Sequence, residues 1–174
     1  MKVLALAASN SKHSINKQLA IYTASLVPHA EIEILDINDY EMPIFSEDRE
    51  KELGQPQPAK DFFQKIGEAD LIIISYAEHN GTYTAAFKNL FDWTSRIDMK
   101  VYQNKAMILL STSPGPGGAQ NVLNTALTSA PHFAANVIGS LSIPSFYDNF
   151  NTDKQTLTNT TFIQALRDII QNIK

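Results

Sequence analysis

Three short apolar runs constrain this chain more than anything else in it. They lie at residues 2–8 (KVLALAA), 69–75 (ADLIIIS) and 105–111 (KAMILLS). A short continuous apolar run is the mark of a strand covered on both faces, which is the habit of parallel sheets packed between helices. Residues 31–37 (EIEILDI) alternate polar and apolar side chains, so this strand has one poorly covered face and belongs at an edge. Residues 136–143 (NVIGSLSI) read as the last strand. Between these runs the apolar spacing changes to a helical one. Residues 15–26 carry the stripe Ile15, Leu19, Tyr22 and Leu26, with Pro28 helping to end the helix. Residues 59–68 are entered through Pro58, and residues 85–97 place Phe87, Leu90, Phe91 and Thr94 on one face. In that helix Asp92 and Arg96 stand four apart and are expected to pair weakly, and Trp93 is expected in core or interface. Helices over 119–130 and 158–173 follow, the last with Phe162, Leu166, Ile169, Ile170 and Ile173 as its stripe. Five strands alternating with five helices predict one α/β domain over residues 1–174, with a parallel sheet, helices on both faces and right-handed crossovers.

Composition narrows the function classes. A net charge of −4 argues against nucleic acid, because duplex binding needs a basic face. No apolar run reaches the length of a membrane span, and the first apolar stretch reads as a strand rather than a signal, so a cytoplasmic protein is expected. With no cysteine there is no disulfide, no thiolate nucleophile and no Cys-based metal site. No His/Asp/Glu cluster has metal spacing, and His29 and His132 fit structural roles. Residues 38–58 read as irregular, with a charge run at 47–52 that fits a solvated face. Ile44 and Phe45 in that stretch pack either on the domain itself or on a neighbouring subunit.

Three loops follow the carboxyl ends of the first, third and fourth strands: 9–16, 76–84 and 112–118. All are rich in Ser, Thr, Asn or Gly. In an open sheet of order 2-1-3-4-5 these loops are neighbours, and ligands bind there. The first is the most telling. A buried strand runs into Ser9, Ser11, Lys12, Ser14 and Asn16, and a helix opens at Ile15. Unpaired N–H groups and the helix dipole favour an anion at such a start. Ser14 is a phosphate donor there, or only the cap of its own helix. The loop has no glycine, which rules out a dinucleotide fingerprint, and the chain has no P-loop. A receiver-type carboxylate is also missing where Ala7, Ala8 and Ser9 end the strand. A mononucleotide survives these tests, with phosphate on the first loop and a flat ring between the other two. FMN suits that best.

The residues Ala8-Ser9-Asn10-Ser11-Lys12-His13-Ser14-Ile15-Asn16-Lys17-Gln18-Leu19-Ala20 resemble the G-S-x-R-x-x-S-x-N-x-x-L-A signature of the NAD(P)H-dependent FMN reductases. Ala77-Glu78-His79-Asn80-Gly81-Thr82, continuing to Lys88-Asn89 and Asp92-Trp93, resembles that family's P-E-Y-N-G-S…K-N-x-x-D-W motif. Residues 111–118 look like its Ser/Pro/Gly-rich turn, and Met42-Pro43-Ile44-Phe45 resembles its L-P-L-Y segment. The similarity runs from the first strand to about Ser145. It implies a flavodoxin-like three-layer sandwich with the five-stranded parallel sheet in order 2-1-3-4-5. It implies non-covalent FMN, NADPH or NADH as co-substrate, and a small acceptor such as a flavin, quinone, azo compound or metal oxyanion. It also implies a homodimer or homotetramer with the flavin near a subunit boundary. Ser11 stands where the family has Arg, and Ala77 and His79 where it has Pro and Tyr.

On that resemblance, Ser9, Ser14 and Asn16 hold the phosphate with backbone amides near Ile15, and Ser11 and Lys12 stand beside them. Glu78 opens the next loop, where the N–H groups of His79, Asn80, Gly81 and Thr82 face the pyrimidine edge of the ring. Asn80 either contacts the ring or shapes a turn with Gly81, and His79 either meets the ring or is solvated. Ser113, Pro114, Gly115, Gly117 and Gly118 bound the ring's other edge. No side chain is expected to act as a general acid or base, because the cofactor carries the reaction. A flavin-binding electron carrier and a non-catalytic interaction module of the same fold are the alternatives.

Overall fold

The computed structural model describes residues 1–173. Its main sheet has five parallel strands: β1 (Lys2–Ala8), β2 (Glu31–Leu35), β3 (Leu71–Tyr76), β4 (Ala106–Thr112) and β5 (Asn136–Ile143). They lie side by side in the order β2-β1-β3-β4-β5, the order that the family resemblance implies. Side chains alternate across a strand, so each central strand feeds two cores. Leu4, Leu6, Ile72, Ile74, Met107 and Leu109 face one of them. Val3, Ala5, Leu71, Ile73, Ile108 and Leu110 face the other. Helices α3 (Gln57–Glu68), α4 (Ala85–Ser95) and α5 (Gln120–Ser129) cover the first face, through Phe62, Phe87 and Val122 among others. Helices α1 (Ile15–Ser25) and α6 (Thr160–Gln171) cover the second, through Leu19 and Leu166. β2 is an edge strand, and Ile32 and Ile34 on it are 40% and 38% exposed.

The stretch 38–58 is more ordered than its sequence suggests. Asp36 caps a 3-10 turn over Ile37–Tyr40, which ends β2 at Leu35 instead of residue 37. The charge run 47–52 lies within a further helix, α2 (Glu47–Leu53). The Ser46 hydroxyl accepts from the Arg49 N–H at 3.2 Å, and Glu47, Asp48 and Glu50 crowd the positive end of the helix dipole. Gly54, at φ 67°, turns the chain out of it. None of α2 is buried, so capping and charge rather than packing define it.

Helix α2 also overturns the expected Asp92–Arg96 pair. Asp92 pairs with Lys88 one turn earlier at 2.7 Å, and Arg96 pairs with Glu50 of α2 at 3.0 Å. Arg96 is the residue that ends α4, so its side chain projects past the helix to a tertiary partner. Trp93 is wholly buried. Among the described residues no helix is long and apolar enough to cross a membrane.

Two phenols mark the core beside α4. Burial pushes Tyr76 and Tyr102 well above the usual tyrosine range. Each is neutral in the fold, whereas the unfolded chain releases these protons above about pH 10. The native state therefore binds more protons in that window, and stability falls as pH rises. In an alkaline titration the last part of the phenolate absorbance should appear together with loss of circular dichroism. Full ionisation of every tyrosine with the fold intact would contradict this.

Candidate functional site

The carboxyl ends of β1, β3 and β4 open into one cleft of about 290 Å³. From the first loop Ser9, Ser11, His13, Ser14, Ile15 and Asn16 form its wall. Ala77, Glu78 and His79 follow from the loop after β3, and Thr112, Ser113 and Pro114 from the end of β4. Tyr147, beyond β5, completes it. The three loops singled out in the sequence thus meet in space, and a fourth segment joins them.

The start of α1 is built to receive an anion. Ser14 is its cap, and the Ser14 oxygen accepts from the Lys17 N–H at 3.1 Å. That use leaves the hydroxyl proton available, so capping and ligand donation do not compete. The amides of Ile15 and Asn16 find no acceptor among the described residues, as the first turn of a helix dictates. The Ser9 oxygen accepts from the Ser11 N–H at 3.3 Å and likewise keeps its proton. Lys17 is held away by Asp36 at 2.6 Å. Burial pushes the Asp36 carboxyl up, but the Lys17 ammonium and the Asn38 donors outweigh it and hold the group below its ordinary value. Lys12 is exposed and outside the cleft wall.

The Asn16 side chain, unlike its amide, is largely committed to the fold. It is buried, and its carboxamide ties strand ends together. Its Oδ1 accepts from the Ser75 hydroxyl at 2.7 Å and from the Thr112 N–H at 3.1 Å. Its Nδ2 donates to the Thr112 carbonyl at 3.1 Å. One amide proton is left over.

The loop after β3 is a small hairpin, in which Glu78 pairs with Tyr83 and His79 with Thr82. Its tip is Asn80-Gly81, at φ 52° and 82°. Two consecutive left-handed residues make the tight turn that Asn-Gly favours. Asn80, Gly81 and Thr82 are exposed at this tip and do not line the cleft. Thr84 then caps α4 through the Phe87 N–H at 3.2 Å and donates to the Ala8 carbonyl at 3.1 Å, binding the hairpin's base to β1. Glu78 reaches across to α5. That helix has no side-chain cap of its own, since Ala119 precedes it in a left-handed conformation. The Glu78 carboxylate accepts from the Val122 N–H at 3.0 Å and from the Asn121 Nδ2 at 3.4 Å. Of the two helix N-termini reached from the cleft, one already holds a carboxylate, and that of α1 stands open.

In the turn after β4, Ser113 donates to the Gly115 carbonyl at 3.1 Å. Gly115 and Gly117 are not among the residues that line the cleft. Gly118 is structural. It has φ 59°, and a Cβ there would stand 2.3 Å from the Ser142 hydroxyl oxygen. Its carbonyl accepts from the Ser111 and Ser142 hydroxyls, both at 2.8 Å. Among the described residues no group of three His, Asp or Glu side chains is placed to hold a metal ion.

His13, Ala77, Thr112 and Tyr147 are wall residues that sequence reasoning did not assign. The first three adjoin assigned residues, so proximity in the chain could have found them. Tyr147 carries no such signal, because hydrogen bonds from Ser145 and Phe146 to the turn after β4 bring it in. Substituting Asn16 by alanine should orphan the Ser75 hydroxyl and the Thr112 N–H in a buried place. The expected cost is about 2–3 kcal/mol of stability, read from a urea melt; a loss of a few tenths would show that the tie does not hold the strand ends.

The family model of NADPH-dependent FMN reductase matches residues 1–148. The chain is 30% identical over 175 residues to the NADH-dependent flavin reductase subunit 2 of Lactobacillus johnsonii, covering 95% of this chain and 91% of that protein. It is 35% identical over 125 residues to the NADPH:quinone oxidoreductase of Arabidopsis thaliana, covering 70% of this chain and 62% of that relative's length. Among solved structures it is similar to the flavoenzyme NAD(P)H:(acceptor) oxidoreductase FerB of Paracoccus denitrificans, with a TM-score of 0.76 at 21% identity over 99% of this chain and 94% of the other. With a flavodoxin-like sheet, three loops meeting on one rim and a match over most of its length, the chain belongs to the NADPH-dependent FMN reductase family.

Proposed function

We propose that this chain binds FMN in the cleft above β1, β3 and β4 and reduces a small planar acceptor, a quinone or a free flavin, at the expense of NADH or NADPH. The observation that carries the reading is the open start of α1 inside that cleft. The unpartnered amides of Ile15 and Asn16 and the spare protons of Ser9 and Ser14 suit a phosphate dianion. They fit it without an arginine, which agrees with Ser11 standing in the family's Arg position. Glu78 fills the rival helix start, so the anion has one place to go. Ser11 and Ser113 add hydroxyls to the wall, and Ala77, His79 and Pro114 offer it backbone and ring surface. FMN, when bound, supplies hydride acceptance from the nicotinamide and electron delivery to the acceptor. The protein's share is to seat the phosphate, hold the hairpin rigid through Thr84 and Glu78, and exclude other anions.

The protein should act as a homodimer in the cytoplasm, where reduced nicotinamides are supplied. Two features support the dimer. An aromatic slot of about 190 Å³ runs beside α4, walled by Tyr83, Phe87, Phe91 and Phe133. Ile44 is 68% exposed, yet its segment is clamped. Asn89 accepts from the Phe45 N–H at 2.8 Å and donates to the Met42 and Pro43 carbonyls. The Trp93 indole donates to the Pro43 carbonyl at 2.7 Å. Phe45 packs edge-on against Trp93 at 5.1 Å, so it belongs to the domain, while Ile44 is displayed on a fixed support. A second copy offers such a side chain the same surface in return, as two-fold symmetry requires.

Two measurements test these statements. Apoprotein mixed with FMN should turn yellow and retain the flavin through gel filtration. Under anaerobic conditions NADH or NADPH should bleach it, and a benzoquinone should restore the colour. Flavin uptake without bleaching would favour an electron carrier, and no uptake would end the proposal. Ile44→Glu should shift sedimentation from dimer to monomer at micromolar concentration while leaving the melting temperature of the subunit nearly unchanged.

A further inference from the structure

We propose that Tyr147 closes the phosphate end of the cleft and makes it selective for a flavin mononucleotide over a flavin dinucleotide. The inference rests on the FMN reading and concerns a residue that neither the loop motifs nor the family match explains.

The cleft has two ends, which the two cores distinguish. The hairpin end belongs to the α3–α5 side, where Tyr83 packs on that core and Glu78 meets Val122. The residues flanking Tyr147 belong to the opposite side. Phe146 and Phe150 lie in the core shared with α1 and α6, and Tyr22 of α1 meets Phe150 edge-on at 6.1 Å. Tyr147 therefore shares the α1 side of the wall with His13 and Ser14, where the open amides are.

The support beneath Tyr147 is rigid. It sits in a single helical turn, Phe146–Asn149. Ser145 enters that turn in a left-handed conformation at φ 46°, a strained state for a residue with a Cβ. Its N–H donates to the Gly115 carbonyl at 2.9 Å, and the Phe146 N–H to the Ser113 carbonyl at 3.0 Å. Asn149 donates back to the Pro144 and Ser145 carbonyls. Phe146 is wholly buried and stacks on Phe150 at 4.7 Å. On this anchored turn Tyr147 is 63% exposed, and its hydroxyl has no hydrogen-bond partner among the described residues. An exposed aromatic on an anchored backbone at the mouth of a cleft meets a ligand without the cost of ordering its backbone.

The chemistry follows from where the phosphate ends. A mononucleotide terminates in a phosphomonoester at the start of α1, within a wall that Tyr147 completes, and the phenol O–H is a donor for its outer oxygens. A dinucleotide carries a second phosphate and an adenosine beyond that point. These must leave through the mouth that Tyr147 and His13 border, so the same ring that favours the shorter ligand obstructs the longer one.

The test titrates apoprotein with FMN, FAD and riboflavin, following quenching of flavin fluorescence, for the unsubstituted chain, Tyr147→Phe and Tyr147→Ala. The unsubstituted chain should prefer FMN to FAD, and Tyr147→Ala should narrow that preference by about tenfold, equivalent to about 1.4 kcal/mol. Tyr147→Phe should keep FAD out while weakening FMN by a few-fold, because it removes only the donor. Riboflavin, which lacks the phosphate, should bind all three proteins equally. An FMN-to-FAD ratio unchanged in Tyr147→Ala, or a loss shared by riboflavin, would overturn the proposal while leaving FMN binding intact. Failure of the unsubstituted chain to bind any flavin would instead overturn the parent reading. The exposed position of Tyr147 leaves folding unaffected, which equal melting temperatures would verify.

Discussion

One buried carboxamide organises the rim of this protein. Asn16 stands in the first turn of α1, yet its side chain is bonded to Ser75 at the end of β3 and to both backbone polar groups of Thr112 at the end of β4. Parallel strands end with unpaired amides and carbonyls, and burying them unmet is costly. Asn16 meets those of Thr112 and brings the start of α1 to the centre of the sheet's edge in the same act. Thr84 does the corresponding work between the hairpin and Ala8. The cleft is shaped by these buried polar ties, and the apolar core beneath only sets its floor.

The electrostatics of the rim come from helix ends rather than from charged side chains. Lys17 is taken up by Asp36, and Lys12 stands outside the wall. The positive potential left at the cleft is the dipole and open amides of α1. The start of α5 would offer the same, but Glu78 occupies it. A carboxylate supplied by a different loop thus caps a helix that lacks its own cap and removes a competing anion position. That division leaves one open helix start at the cleft of a chain with net charge −4 and no arginine in its first loop, which is what the proposed phosphate seat requires.

Much of this was legible in the residues themselves, and the misses have physical causes. The apolar runs declare buried strands because side-chain burial on both faces leaves no room for alternation. Asn80-Gly81 declares a tight turn because both positions need φ above zero. Helix α2 was missed because none of its residues is buried, so it leaves no apolar stripe; Ser46, the acids after it and Gly54 were the available signals. The Asp92–Arg96 expectation counted spacing along one helix and ignored Glu50, which lies far away in the chain but near in the fold. The tie that the Asn16 carboxamide makes to Ser75 and Thr112 left no trace in the sequence, because a polar residue at a helix start looks the same whether its side chain faces a ligand or a strand end.

The residues alone determined the buried strands, the flanking helices and the three polar loops at the strand ends, since those follow from periodicity and turn chemistry over short stretches, while the strand order came through the resemblance of the loop motifs to a known family. Tertiary structure alone decided how the polar groups divide their work: Asn16 toward Thr112, Glu78 toward α5, Ser14 still holding a proton for the cleft, and Tyr147 at its mouth. Apart from Ser14, whose partner is the nearby Lys17 N–H, each of these choices is made by a partner tens of residues away or by a turn anchored to another loop. Local patterns carry no information about such partners, because a hydrogen bond is chosen by distance in space and not by distance along the chain.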